Sequence, residues 1–202
     1  MFVQVIEGRV SDPKELQAAF DRWVQEVAPG ATGWLGSTAG VTDDGRFIGL
    51  ARFDSEDAAR RNSDRPEQDR WWTETSKLFA GNATFRDSND VTLDLIGDPD
   101  RAGFVQVIQG RGSDPDRARE LMTRDSSEMA SFRPDILGSV AVEHEGGAYT
   151  VAIYFTSEEE AREGERKEPP PHIKAQMEEM NKLNIGEPEF FDIKDPWLYS
   201  PR

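Results

Sequence analysis

The sequence predicts an α+β fold of two tandem β-α-β-β-α-β repeats, packed together as an intramolecular barrel. Three observations carry this prediction. The stretch Phe2-Val3-Gln4-Val5-Ile6-Glu7-Gly8-Arg9, followed by Ser11-Asp12-Pro13, returns as Phe104-Val105-Gln106-Val107-Ile108-Gln109-Gly110-Arg111 and Ser113-Asp114-Pro115, so the chain is two copies of one unit. Within each copy, alternating segments and segments of helical period succeed one another in the order strand, helix, strand, strand, helix, strand. The join between the copies, 97–103, is a short polar run with Pro and Gly, which favours intimate packing over separate beads.

Each element has a local reason. In the first segment Phe2, Gln4 and Ile6 share one face and Val3 and Val5 the other. Asp12-Pro13-Lys14-Glu15 is a helix start, with Asp at the N-cap, Pro at the first helical position and Glu placed to close a capping box. Leu16, Phe20, Trp23, Val24 and Val27 recur at helical spacing, and Pro29-Gly30 ends the run. Residues 34–41 and 47–53 read as strands joined at Asp43-Asp44-Gly45. An Asp-Gly pair supplies the positive φ angles of a tight hairpin, and Gly146-Gly147 serves the same geometry in the second copy. Ser55-Glu56-Asp57 opens a short helix toward Asn62, and the chain breaks near Pro66. A second helical piece carries Trp71, Thr75, Leu78 and Phe79 on one side, with Gly81 as its C-terminal cap. Residues 84–96 hold the last strand, with an interruption at Asp87-Ser88-Asn89-Asp90. The second copy follows without a gap to Asn184, takes a short insertion near Gly186-Glu187-Pro188, and brings Phe190-Phe191-Asp192 opposite Phe85-Arg86-Asp87. The tail Pro196-Trp197-Leu198-Tyr199 is apolar for a terminus and is expected to dock on the body.

This is the ferredoxin-like order. A four-stranded sheet covered by helices on one face leaves its other face bare, and two copies can hide those faces against each other, as in a dimeric α/β barrel. The expected division is repeat 1 at 1–96, a linker at 97–103, and repeat 2 with its tail at 104–202.

Composition narrows the function. The 202 residues contain no cysteine, which excludes disulfides and thiolate chemistry. A formal charge of −15 argues against nucleic acid, whose phosphates need clustered Lys and Arg. No apolar run approaches the roughly 20 residues of a membrane helix. The N-terminus starts on a strand-like run without the pattern of a signal peptide, so a cytoplasmic protein is expected. Because the pseudo-dimer lies within one chain, a monomer is expected.

The two copies act as an internal control on candidate site residues. Gln4 and Gln106 recur in a strand and, if their face lines the barrel, project two amides into an apolar cavity; the alternative is a structural bond to a neighbouring strand or a buried water. Trp71 pairs with Ile173 and reads as core. Trp72 pairs with Lys174 and suits a pocket rim or an aromatic stack. Asn62 pairs with Gly164 where the helix breaks, a pairing that suits a left-handed cap. His172 follows three prolines at a helix start; it has the right pKa range for a base but no evident acidic partner in sequence. His144 falls in a hairpin and reads as exposed. Tyr154 replaces Arg52, so the second pocket is expected to carry His172 and Tyr154 where the first carries Asn62 and Trp72. Arg22-Glu26 and Arg124-Glu128 have the spacing of helical surface ion pairs. Trp23-Val24 become Asp125-Ser126 in copy two, on the side that should be buried. There is no phosphate loop, triad or metal spacing.

The element order, together with Phe53-Asp54-Ser55-Glu56-Asp57-Ala58-Ala59-Arg60-Arg61-Asn62 and the following Trp71-Trp72, resembles the antibiotic biosynthesis monooxygenase (ABM) domains of the dimeric α/β-barrel group. That group includes cofactor-independent oxygenases, haem-degrading enzymes and proteins of other roles. The haem-degrading members use an Asn, a Trp and a His; here copy one has Arg70 where copy two has His172, and no histidine at all, which weakens that implication.

The expectation is a barrel protein that takes a small apolar or aromatic molecule, with no nucleic acid, membrane, metal or cofactor. As the resemblance implies, its enzymatic form would oxidise that molecule without a bound cofactor. The alternatives are a non-catalytic carrier or sensor, and an interaction module with a filled barrel.

Overall fold

The alternation of the first segment makes β1 (Phe2–Arg9), and Asp12 starts α1 (Pro13–Glu26) by accepting the Glu15 N–H at 3.0 Å. These and the following elements come from a computed structural model that describes residues 1–124 and 126–201. β2 (Trp34–Val41) and β3 (Arg46–Phe53) form a hairpin in which Gly45 takes a positive φ of 79°. Ser55 caps α2 (Glu56–Ser63) and Pro66 opens α3 (Pro66–Thr75), which tightens into one 3₁₀ turn before β4 (Thr84–Ser88).

The interruption read at Asp87–Asp90 is real, and it separates two sheets. β5 (Val91–Leu95) does not extend β4; it pairs with β7 of the second sheet, once the chain has run through β6 (Phe104–Arg111), α4 (Pro115–Thr123), α5 (Ser126–Phe132) and β7 (Ile136–Glu143). β8 (Ala148–Phe155), α6 (Glu158–Glu165), α7 (Pro171–Leu183) and β9 (Glu189–Ile193) complete that half. The tail then forms β10 (Trp197–Tyr199), which pairs with β2.

Two antiparallel sheets result, ordered β10-β2-β3-β1-β4 and β5-β7-β8-β6-β9. The compact units are therefore not the sequence repeats. Unit 1 is Met1–Asp90 with Asp195–Arg202, and unit 2 is Val91–Lys194. Each unit takes its fifth, edge strand from beyond the boundary of its own repeat. The βαββαβ order holds in both copies.

In unit 1 the helices cover the face that carries Phe2, Gln4 and Ile6. Antiparallel partners share a face, so two rows cross the sheet beneath the helices. One is Tyr199, Ser37, Ala51, Gln4 and Asp87; the other is Trp197, Ala39, Gly49, Ile6 and Phe85. Both rows are small in the middle and large at the ends. The tail docks as expected: Trp197 is 5% exposed, with ring centroids 5.8 Å from Phe20 and 6.0 Å from Phe47.

Unit 2 departs from its sequence reading at the first helix. Arg124 is extended and ends α4, so Arg124 and Glu128 are not one helical pair; Arg124 bonds Glu120 at 2.9 Å instead. Asp125 lies outside the described residues, as does the side chain of Ser126, so the polar exchange at Trp23-Val24 has no structural account. No helix among the described residues is long and apolar enough to cross a membrane.

Candidate functional site

The row through Tyr199, Ser37, Ala51 and Gln4 borders a space under the helices of unit 1. It is a cavity of about 70 Å³ between β1, β2, β3 and β10 on one side and α1, α2 and α3 on the other. Its apolar wall is aromatic, from Phe20, Trp23, Trp34, Phe53 and Trp71. Its polar groups are Gln4, Ser37, Asn62, Ser63, Gln68 and Tyr199. Ala51 forms the floor beside Gln4.

These polar groups hold one another. Gln4 Nε2 donates to Asp87 Oδ1 at 3.0 Å. Gln68 Oε1 accepts from Trp23 Nε1 at 2.6 Å and from Asn62 Nδ2 at 3.2 Å, while Asn62 Oδ1 accepts from Arg65 Nη1 at 3.0 Å. Trp34 Nε1 donates to Ser37 Oγ at 3.0 Å, and Trp71 Nε1 to the Ala19 carbonyl at 2.8 Å. Every indole N–H at the cavity is thus committed, so the side-chain amides are its adaptable polar functions.

Tyr199 closes one end and donates its hydroxyl to Asp21 Oδ1 at 2.8 Å. Burial first, then the bond to Asp21 and its negative charge, push the Tyr199 pKa far above the ordinary phenol value near 10. The folded chain holds this proton more tightly than the unfolded chain does. The stabilisation is therefore complete below about pH 10 and is lost as pH rises above it. Tyr199→Phe is expected to flatten the alkaline limb of a melting-temperature profile taken from about pH 9 to 12. Parallel profiles for the two proteins would contradict this.

The structure brings together two of the six expected site residues, Gln4 and Asn62. They meet under the helices, on the covered face of the sheet. Asn62 is 6% exposed and lies within α2, so it is a buried helical amide and not a left-handed cap. Trp72 and Trp71 exchange roles. Trp71 lines the cavity, while Trp72 turns toward the β4 edge, where its ring meets Phe79 at 6.0 Å and Phe85 at 5.1 Å. Successive helical residues point about 100° apart, so only one of the pair can face inward.

In unit 2, Gln106 Nε2 donates to Asp192 Oδ1 at 2.9 Å, and Arg162 binds the same carboxylate while its guanidinium lies 5.1 Å from the Phe104 ring centre. Tyr154 is 1% exposed and pairs with Val105, which puts it on the opposite face from Gln106. His172 has the acidic partner that the sequence did not show: its Nε2 contacts Glu128, and both side chains are half-exposed. His144 is half-buried, not exposed, with Nε2 3.0 Å from Thr150 Oγ1. Among the described residues no group of three or more His, Asp or Glu could hold a metal.

Trp23, Trp34, Gln68 and Tyr199 escaped the sequence reading as site residues. A signal was present for three of them. Trp34 becomes Ile136, Gln68 becomes Pro170 and Trp23 becomes Asp125, so the cavity wall is where the copies diverge. Tyr199 has no counterpart in the repeat, since a strand from beyond the boundary supplies it.

No protein-family model and no curated protein matches the chain. Solved structures do. A "putative monooxygenase" from Lactobacillus acidophilus has a TM-score of 0.73 at 12% identity, over 98% of this chain and 98% of that one. The chain shares the fold of that protein. Another "putative monooxygenase", from Fusobacterium nucleatum subsp. nucleatum, gives 0.73 at 11% identity over 98% and 94% of the two chains. An anthrone oxidase-like protein gives 0.63 at 13% over 98% and 93%. Likeness at these identities is one of fold, and function is argued from the site.

Proposed function

We propose that unit 1 binds a small aromatic molecule bearing a carbonyl or hydroxyl group, between the sheet and α1–α3. The observation that carries this reading is the aromatic cavity with the amides of Gln4, Asn62 and Gln68 at its edge. At about 70 Å³ it holds roughly two waters and no aromatic ring, so a wall must move. That wall is Trp71. Among the described residues it is the one that also lines an open groove of about 730 Å³ between α1 and α3, with Ala19, Val27 and Leu78 as further apolar lining. Turning the indole outward, at the cost of its bond to Ala19, joins the two spaces into a volume of ligand size.

Native mass spectrometry of freshly purified protein, with an absorbance scan, tests the reading. A co-purified aromatic molecule is expected, retained about 10-fold less well by Asn62→Ala, the loss of one hydrogen bond. Protein free of ligand that also fails to bind 4-nitrophenol would refute it.

A second reading is oxygenation of the bound molecule without a resident cofactor, and the named activities of the structural neighbours favour it. No carboxylate or imidazole lines the cavity, and Tyr199 keeps its proton, so the substrate must have an acidic C–H or O–H of its own. Anthrone is a suitable probe: its CH₂ group and one O₂ give the quinone carbonyl and one water. Oxygen uptake with anthrone that Asn62→Ala abolishes would support this reading, and uptake equal to the uncatalysed rate would reject it.

A further inference from the structure

We infer that the chain carries one ligand site and not two, because unit 2 fills its own equivalent pocket with protein side chains. The inference rests on the aromatic-pocket reading of unit 1 and adds the stoichiometry. It starts from the floor of the sheet. In unit 1, Gln4 and Ile6 stand beside Ala51 and Gly49. In unit 2 the same registers place Ile153 beside Gln106 and Val151 beside Ile108. Ile153 packs on the cluster of Phe104, Phe155 and Ala161. Ala51, which floors the unit 1 cavity, has thus become the β-branched Ile153.

The wall is filled too. Where unit 1 has the Asn62 amide, unit 2 has Gly164, and the Arg133 guanidinium lies so close that a Cβ on Gly164 would collide with it. Arg133 is held there by Asp135, with Nη2 2.7 Å from Oδ2 and Nε 3.0 Å from Oδ1. It also donates to the Ala161 carbonyl at 3.3 Å and lies 5.6 Å from the Phe155 ring centre. Phe155, Ala161 and Gly164 correspond in the repeat to Phe53, Ala59 and Asn62, three linings of the unit 1 cavity. Arg133 thus fills, from within the protein, the corner of the pocket that the Asn62 side chain lines in unit 1. Gln106 is equally engaged, through the Asp192–Arg162 chain.

The full chain reports on this directly, because all five tryptophans lie in unit 1. Titration with 4-nitrophenol, which quenches indole emission, is read by calorimetry and by fluorescence together. One molecule per chain is expected, with quenching complete at the same ratio. Ala51→Ile copies the unit 2 floor into unit 1 and is expected to reduce one bound molecule to none. Two molecules per wild-type chain, heat without quenching, or unchanged binding by Ala51→Ile would each overturn the inference while leaving an aromatic ligand in place. No binding by the wild-type chain overturns the aromatic-pocket reading itself, and this inference with it. The wild-type ratio decides the case even if Ala51→Ile does not fold.

Discussion

Trp197→Ala is expected to lower the stability of the chain by roughly 3–5 kcal/mol, the usual cost of truncating a buried large aromatic. The indole is 5% exposed and fills the space over Ala39, between the rings of Phe20 and Phe47. It also anchors β10, which has three residues and pairs on one side. A strand that short does not hold itself by its ladder bonds alone. Losing the anchor should release Tyr199 from Asp21 and open the end of the cavity that Tyr199 closes. Urea unfolding measures the first effect. Accelerated amide exchange at 197–199 in the folded protein measures the second. A loss below about 1 kcal/mol, with those amides still protected, would show that the tail is a passenger.

Arg133→Ala is expected to cost a similar amount for a different reason. Asp135 is buried and Arg133 half-buried, with side chains 6% and 12% exposed, and they share two hydrogen bonds. Removing the guanidinium leaves a carboxylate in an apolar site without its partner, a loss of about 3–5 kcal/mol. Removing both charges avoids that penalty. Arg133→Ala/Asp135→Ala should therefore be more stable than Arg133→Ala alone, which a double-mutant cycle in urea would show as a coupling of about 2 kcal/mol or more. Additive losses would mean that the pair is not a unit.

Both residues illustrate where sequence reading stops. The Trp197 tail looked apolar enough to dock, but nothing in it names β2 as the edge it joins. Gln4 was legible as a polar residue repeated at an apolar register, whereas Asn62 read as a helix cap and only the fold shows it buried within α2. Trp72 was not, because a helical stripe two tryptophans wide does not say which one faces in. The partner of His172 is not legible in the sequence because Glu128 comes to it from another helix.

By itself the sequence determined the duplication, the βαββαβ order and the starts of the capped helices. These rest on local physics: alternation, helical period, the caps at Asp12, Ser55, Asp114 and Ser157, and glycine where the hairpins turn. Tertiary structure alone decided that β5 and β10 serve the sheet of the other repeat, and that Ala51 lies under three tryptophans. Edge pairing is made of backbone bonds that any residue can form. A cavity exists only where small residues distant in sequence are brought side by side.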